Sequence, residues 1–452
     1  MSAEMAGDGA SPSWAARLRA GRRERYWKTS TMLLLRDMED LKGRELRGKI
    51  KDLIFWCDSS VADPEVIDAE LFADFVDGMC RVVGNYGVID GVAVEPALRR
   101  IIDLQESRRD TTTKLWLTLA RFRSMISLED DRREEALNAA LESAPVGSAL
   151  WAESVLAKAW YLNDISRYGD ALRIVGRLRQ AIPQELYDGY YACGADTMAG
   201  VALFTSFRDL GAARQKLTRA CTFSKEADDD VQLRRWTATA HHYLGRIAEV
   251  DRDYPEALAR YVQGHALQTR CPEELQSIAF IHLRMSEPLI ALGYFDEAED
   301  HLRTAAQVCS DYADYSSGRL QVQLGFATLD VAKGRTGFAL QTIDATRNEA
   351  RAIGYWRGEL LCLGYKCAVL LRTRSVLRLV PVLLDIIMTM RGGELGRGNA
   401  ARLLLRLPTV LGVAVRRMSF RPSRPLQPAT TTGCPCRVHT PADAVAAGGP
   451  SA

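Results

Sequence analysis

Residues 241 to 268, HHYLGRIAEVDRDYPEALARYVQGHALQ, decide the fold. Leu244, Gly245 and Ala248 share one face of a first helix, and Ala257, Tyr261 and Gly264 share one face of a second. Between them, Asp251 to Pro255 supplies a turn, since aspartate caps free helix amides and proline is tolerated in a first helical turn. Two helices approach closely only where small side chains meet at the crossing, with one large side chain filling the groove beside them. The stretch predicts a tight antiparallel hairpin.

The same size pattern recurs at Ala171, Val175 and Leu178 (followed by Pro183), at Ala213, Leu217 and Ala220, at Ala298, Leu302 and Ala305, and at Ala339, Ile343 and Thr346. The leading alanines, Ala171, Ala213, Ala257, Ala298 and Ala339, are separated by 42, 44, 41 and 41 residues. A weaker unit precedes them at Ala136, Ala140 and Ser143, and a degraded one follows at Val380, Leu384 and Ile387. No hairpin of this size buries its apolar face alone, so neighbours must stack.

This pattern resembles the tetratricopeptide repeat. Its step exceeds the usual ~34 residues and is similar to the longer-helix version found in large bacterial signalling regulators. The resemblance implies an all-α, right-handed superhelical solenoid of antiparallel helix hairpins over residues 112–391, about seven hairpins in all. It also implies a concave groove, lined by first helices, that binds a peptide or partner domain. Counted from the small residue of each first helix, the groove positions are Trp160, Asn163 and Asp164; Met198, Ala202 and Thr205; His242, Arg246 and Glu249; Leu283 and Glu287; and Gln321 and Thr328. One strong positive point among apolar and amide groups suits an extended peptide better than a small molecule. Some tetratricopeptide proteins grip the carboxylate end of heat-shock chaperones with lysine and asparagine; none of these positions is lysine, so that role is not carried over.

The flanks differ in composition. Residues 1–27, with a basic run at Arg22, Arg23 and Arg25, read as a disordered arm. Residues 28–111 read as a helical cap or divergent repeats, with one helix opening at Asp63, Pro64 and Glu65 and running to Gly84, and another opening at Glu95 and Pro96. From Arg391 onward there are nine arginines, no lysine and only two acids, Glu394 and Asp443, and six of the 16 prolines follow Phe420. Within this region ARLLLRLPTVLGVAVRRM, residues 401–418, fits a basic amphipathic helix broken near Pro408. The rest of 392–452 buries too little to fold; a natural disordered tail and out-of-frame translation of a GC-rich gene both account for it.

Composition narrows the function. With 59 basic against 57 acidic side chains, the net charge of +2 creates no global field toward nucleic acid or anionic lipid. No apolar run reaches 18 residues and no signal-peptide core is present, so a cytoplasmic protein without a membrane partner is expected. Eight of the ten cysteines fall in helix-like stretches, which suits reduced, buried thiols.

Several chemistries fail on inspection. Gly43, Gly48 and Lys49 have phosphate-loop spacing, but Ile50 stands where a magnesium-binding hydroxyl is needed, and the flanking LLLRDMEDLK and KIKDLIFW read as helix. The six histidines form no His-Glu-x-x-His pattern. His241 and His242 diverge by about 100° on a helix, so only one can face a groove. Cys434, Cys436 and His439 lack a fourth ligand, and Cys362 and Cys367 are five apart, off the helical register of a redox pair. Glu129, Asp130 and Asp131 read as a solvated turn. No catalytic, cofactor or metal site is expected. The first expectation is therefore a non-enzymatic protein-interaction scaffold. The alternatives are a sensor that responds to a signalling peptide or small ligand and controls a transcription or signalling partner, and a helical enzyme with an unrecognised site.

Overall fold

A computed structural model of the chain describes residues 94–104, 109–126, 131–165, 167–206, 208–224, 230–269, 275–311, 316–353 and 355–392, together with Ala69 and Ala73. They fall into two compact units that divide between Pro145 and Val146. Every described segment is helix or turn, and no strand occurs among the described residues. The phosphate-loop-like Gly43 to Lys49, the 1–27 arm, the Cys434, Cys436 and His439 set and the tail beyond Gly392 lie outside the described residues.

In the first unit, α1 (Val94–Leu104) opens where Glu95 and Pro96 announce it. Glu95 pairs with Arg99 at 3.0 Å and with the buried Arg123 of α2 (Arg109–Ile126). The α2 helix packs on α3 (Asp131–Ser143), which buries Ala136 and Ala140 completely.

The second unit is a run of hairpins. Its helices are α4 (Ala149–Asp164), α5 (Tyr168–Ala181), α6 (Ala192–Thr205), α7 (Leu210–Cys221), α8 (Val231–Asp251), α9 (Tyr254–Gln268), α10 (Leu275–Leu292), α11 (Phe295–Asp311), α12 (Ser316–Ala332), α13 (Thr336–Ala352), α14 (Trp356–Arg372) and α15 (Leu379–Gly392). Each even-numbered helix pairs with the next to form a hairpin, and each second helix through α13 packs on the first helix of the following hairpin. This is the expected all-α stack of antiparallel hairpins.

The size pattern explains the packing. Ala213, Leu217 and Ala220, Ala298, Leu302 and Ala305, and Ala339, Ile343 and Thr346 are all fully buried, each set on the second helix of its hairpin. Tyr261 is fully buried against Gly245, where an added Cβ would lie 2.6 Å from the Tyr261 ring; at Gly200 it would lie 2.5 Å from Leu217. Filling such a contact forces neighbours off their rotamers, at a typical cost of about 1–3 kcal/mol.

The turns repeat as faithfully as the helices. In α8/α9, Arg252 donates its N–H to the Glu249 carbonyl and Asp253 to that of Ala248, the paired bonds of a Schellman motif. The same pair is made by Gly293 and Tyr294, by Gly334 and Arg335, and by Arg374 and Ser375. The residue in the left-handed conformation is glycine in two of these turns (φ +87° and +79°) and arginine in the other two, Arg252 (φ 64°) and Arg374 (φ 54°). Side-chain caps start the following helices: Asp253 accepts from the Glu256 N–H at 3.2 Å, Asp209 from that of Ala212 at 2.8 Å, and Ser148 from that of Trp151 at 3.2 Å.

The last hairpin departs from the expected register. Leu379, Val382, Ile386 and Met390 form the buried stripe of α15, whereas the expected Val380 and Leu384 are exposed and Ile387 is half-buried. The sequence LVPVLLDIIMTMRG is apolar on both faces, so periodicity alone fits two rotations of the helix.

Candidate functional site

The first helices α4, α6, α8 and α10 carry most of the expected groove residues. On α4, half-buried Trp160 meets Trp236 of α8 at 6.2 Å between ring centroids. Asn163, also on α4, accepts a hydrogen bond from the Thr205 hydroxyl of α6 at 2.9 Å. Asp164 lies close enough to Tyr243 to act on its phenol electrostatically.

Around α8 the expected residues form one cluster. The Arg246 guanidinium lies 5.0 Å from the Phe204 ring and 5.5 Å from that of Tyr243. His242 contacts Tyr243, Tyr261 and Phe280, with centroids 5.2, 5.7 and 5.9 Å away. Glu249 is buried and accepts from the Tyr261 hydroxyl at 2.9 Å. On α10, Arg284 stacks 5.0 Å from Phe280 and pairs with Glu287 at 2.8 Å. Burial raises the phenol pKa of both Tyr243 and Tyr261, so both remain neutral hydrogen-bonding groups. The α8 and α10 backbones approach less closely than those of α6 and α8 or of α10 and α12, and the His242 and Phe280 rings span the interval.

Besides the buried Glu249, four expected positions are not displayed for contact. Met198, 1% exposed, and Leu283, 4% exposed, belong to helix-packing faces; Leu283 sits in the core shared by α8 to α12. Ala202 is fully buried, and Thr328 is buried with its hydroxyl donating to the Leu324 carbonyl at 2.9 Å. The first helices α6, α10 and α12, which carry these residues, are each covered by their own partner and by helices of the hairpins before and after them, which leaves a narrower free stripe than counting from one small residue suggests. Gln321 is half-buried on α12, apart from the α8 cluster. The residues that sequence counting missed are Phe204, Trp236, Tyr243, Tyr261, Phe280 and Arg284. The available signal was one phenylalanine on each of α6 and α10 beside Trp236 and Tyr243 on α8.

His241 and His242 separate as their spacing predicts. His241 is buried against α9, its pKa lowered to about 4 by burial and the charge of Arg260. A second histidine group was invisible in the sequence. His265 of α9, His282 of α10 and His301 of α11 stack consecutively, each neighbouring pair 4.9 Å between centroids, and the Nδ1 atoms of His282 and His301 are 2.7 Å apart. That contact requires complementary tautomers, one Nδ1–H donating to the other Nδ1. Burial first, then the neighbouring rings, lowers His282 to about 3 and His301 to about 4. Among the described residues no group of three or more histidine, cysteine or acidic side chains is arranged to hold a metal ion.

The described thiols Cys193, Cys221, Cys309, Cys362 and Cys367 are free. Burial pushes Cys362 to about 12 and Cys367 to about 11, and the two belong to different core clusters. Neither is a reactive thiolate. No described helix is long and apolar enough to cross a membrane.

No protein-family model matches the chain, and no curated protein matches it in sequence. Among solved structures, a Rap protein complexed with competence and sporulation factor is 14% identical, with a TM-score of 0.44, covering 77% of this chain and 99% of that one. A circular tandem repeat protein with novel repeat topology is 13% identical, with a TM-score of 0.18, covering 89% and 95%. Both are likenesses of helical-repeat proteins; the architecture of this chain rests on its own hairpins and turns.

Proposed function

We propose that the second unit is a non-enzymatic protein-interaction scaffold that receives an extended peptide, or an extended segment of a partner, along the first helices α4 to α10. The observation that carries this reading is the half-buried Arg246 guanidinium held over Phe204 and Tyr243; on the adjacent first helix the buried Arg284 lies over Phe280 with its charge already paired to Glu287. A guanidinium laid on a ring is held in one plane, which orients its N–H edge for a carboxylate or peptide carbonyl. The Trp160 and Trp236 rings, inclined at 57° to each other, add a half-buried aromatic surface of the kind that anchors interfaces. His242, against Tyr243 and Phe280, and the hydrogen-bonded Asn163 and Thr205 add polar groups on the same first helices.

Affinity capture from the native lysate tests this, comparing wild type with the Arg246→Glu, His242→Ala double variant and with Trp160→Ala, each first shown to be helical by circular dichroism. The expected result is a partner held by wild type, lost by the double variant and weakened by Trp160→Ala. A partner bound at full strength by all three would remove the face from consideration.

The constant turn spacing favours a second reading. The left-handed turn residues Arg252, Gly293, Gly334 and Arg374 are 41, 41 and 40 residues apart, similar to the long-helix repeats of bacterial signalling regulators. In that reading, peptide occupancy of the same face controls a transcription or signalling partner. Salt-sensitive, sequence-specific DNA binding by the captured complex would promote it over a simple scaffold.

A further inference from the structure

Every second helix from α5 to α13 has its outer face covered by the first helix of the next hairpin. For α15 no described helix follows, and its outer face is apolar. Leu377 on the preceding turn (91% exposed), Val380 (58%), Leu384 (58%) and Met388 (65%) recur at steps of three, four and four residues. They form one continuous stripe opposite the buried Leu379, Val382, Ile386 and Met390. The stripe continues an interface that the array makes five times before it, and an uncovered apolar strip of this kind marks a contact surface.

We infer that residues 401–418 of the same chain cover it. Three features of the sequence fit that segment to the stripe. Leu404, Leu407, Leu411, Ala414 and Met418 recur at steps of three and four, one helical face, and Arg402, Arg406, Arg416 and Arg417 fall on the opposite face together with Val413. At 18 residues the segment equals α10 in length and exceeds α12 by one. The intervening residues 393–400 span up to about 26 Å when extended, within the reach of an ordinary helix connection. Pro408 does not oppose this, because α10 continues through Pro288 in the same chain. Tethering also favours this occupant over any free partner, since docking is intramolecular. The inference stands independently of the groove proposed above, which lies on other helices.

Hydrogen exchange on the full-length chain, with light scattering alongside, tests it. In wild type the amides of 401–418 should exchange at least about tenfold more slowly than in Leu384→Asp, Met388→Asp. The reciprocal Leu404→Asp, Leu411→Asp variant should release the segment and speed exchange in α15 while leaving α12 and α13 unchanged. It decides the question if the first variant unfolds α15 itself. Equally fast exchange of 401–418 in all three proteins overturns the inference. So does a wild-type dimer that becomes monomeric in Leu384→Asp, Met388→Asp with no change in 401–418, which would assign the stripe to a second copy.

Discussion

Hairpins α8/α9 and α12/α13 obey one steric pattern and are joined by the same turn motif, yet their centres differ. In α12/α13 the large central residue is the aliphatic Ile343, and the polar links run at its side, from Thr346 to Gln323 at 2.8 Å and from Gln323 to Glu349 at 3.3 Å. In α8/α9 the equivalent residue is Tyr261, whose ring fills the Gly245 crossing while its hydroxyl reaches buried Glu249 beside the Arg246 and His242 cluster. The scaffold requires only a large side chain at this point. A hydroxyl placed there ties the hairpin interior to the candidate groove, which stacking alone does not demand.

The largest expected effect comes from removing that tie. Tyr261→Phe should lower stability by about 2 kcal/mol, because buried Glu249 loses the Tyr261 hydroxyl, whereas Ile343→Val at the equivalent place should cost only about 1 kcal/mol. Urea midpoints of the two variants check the difference, and equal losses would erase the distinction between the hairpins.

Acid should act next, and only on the α8 to α11 region. His282 and His301 are lowered to about 3 and 4 from 6.5, so the unfolded chain binds their protons first. Their stabilising contribution is full above pH 6.5 and is lost as pH falls toward the folded values. Between pH 6.5 and 5.5 the loss should be about 1 kcal/mol for each histidine, and His301→Gln should flatten the slope. The carboxylates that link the distal hairpins, Glu299 with Lys333 and Glu359 with Arg347 and Arg351, have lowered pKa values, so their contribution is lost only at more acid pH. A melting temperature that does not change over that pH interval would contradict the histidine geometry.

The smallest effect concerns the turns. Arg252 holds a left-handed backbone that Gly334 adopts without a Cβ. Arg252→Gly should therefore raise stability by about 1 kcal/mol, and Gly334→Arg should lower it by a similar amount. Opposite shifts in melting temperature would show that the two turns are equivalent and that the hairpins differ only inside.

The repeat was legible because close packing leaves a size pattern in the sequence, as at Ala298, Leu302 and Ala305. The site was half legible. His242 and Arg246 lie on one helix and could be counted, but Phe204, Phe280 and Arg284 reach them from neighbouring hairpins, and Tyr261 comes from a second helix. Met198 and Leu283 were misplaced because one residue along a helix turns the side chain by about 100°, enough to move it from the groove into the core. His265, His282 and His301 carry no sequence signature, since only hairpin stacking brings three helices together. On α15 the pattern failed for a different reason, an excess of apolar residues on both faces.

The π turn at Tyr187–Tyr191, just before α6, separates repeat length from repeat phase. An extra residue inserted into an α-helix would rotate everything after it by about 100°, carrying Thr205 on α6 away from its partner Asn163 on α4. Looped into a wider turn, the same residue is absorbed before α6 begins. Arrays of this design can therefore gain or lose single residues at such points while their recognition surface keeps its phase, so length variation need not mean a change of partner.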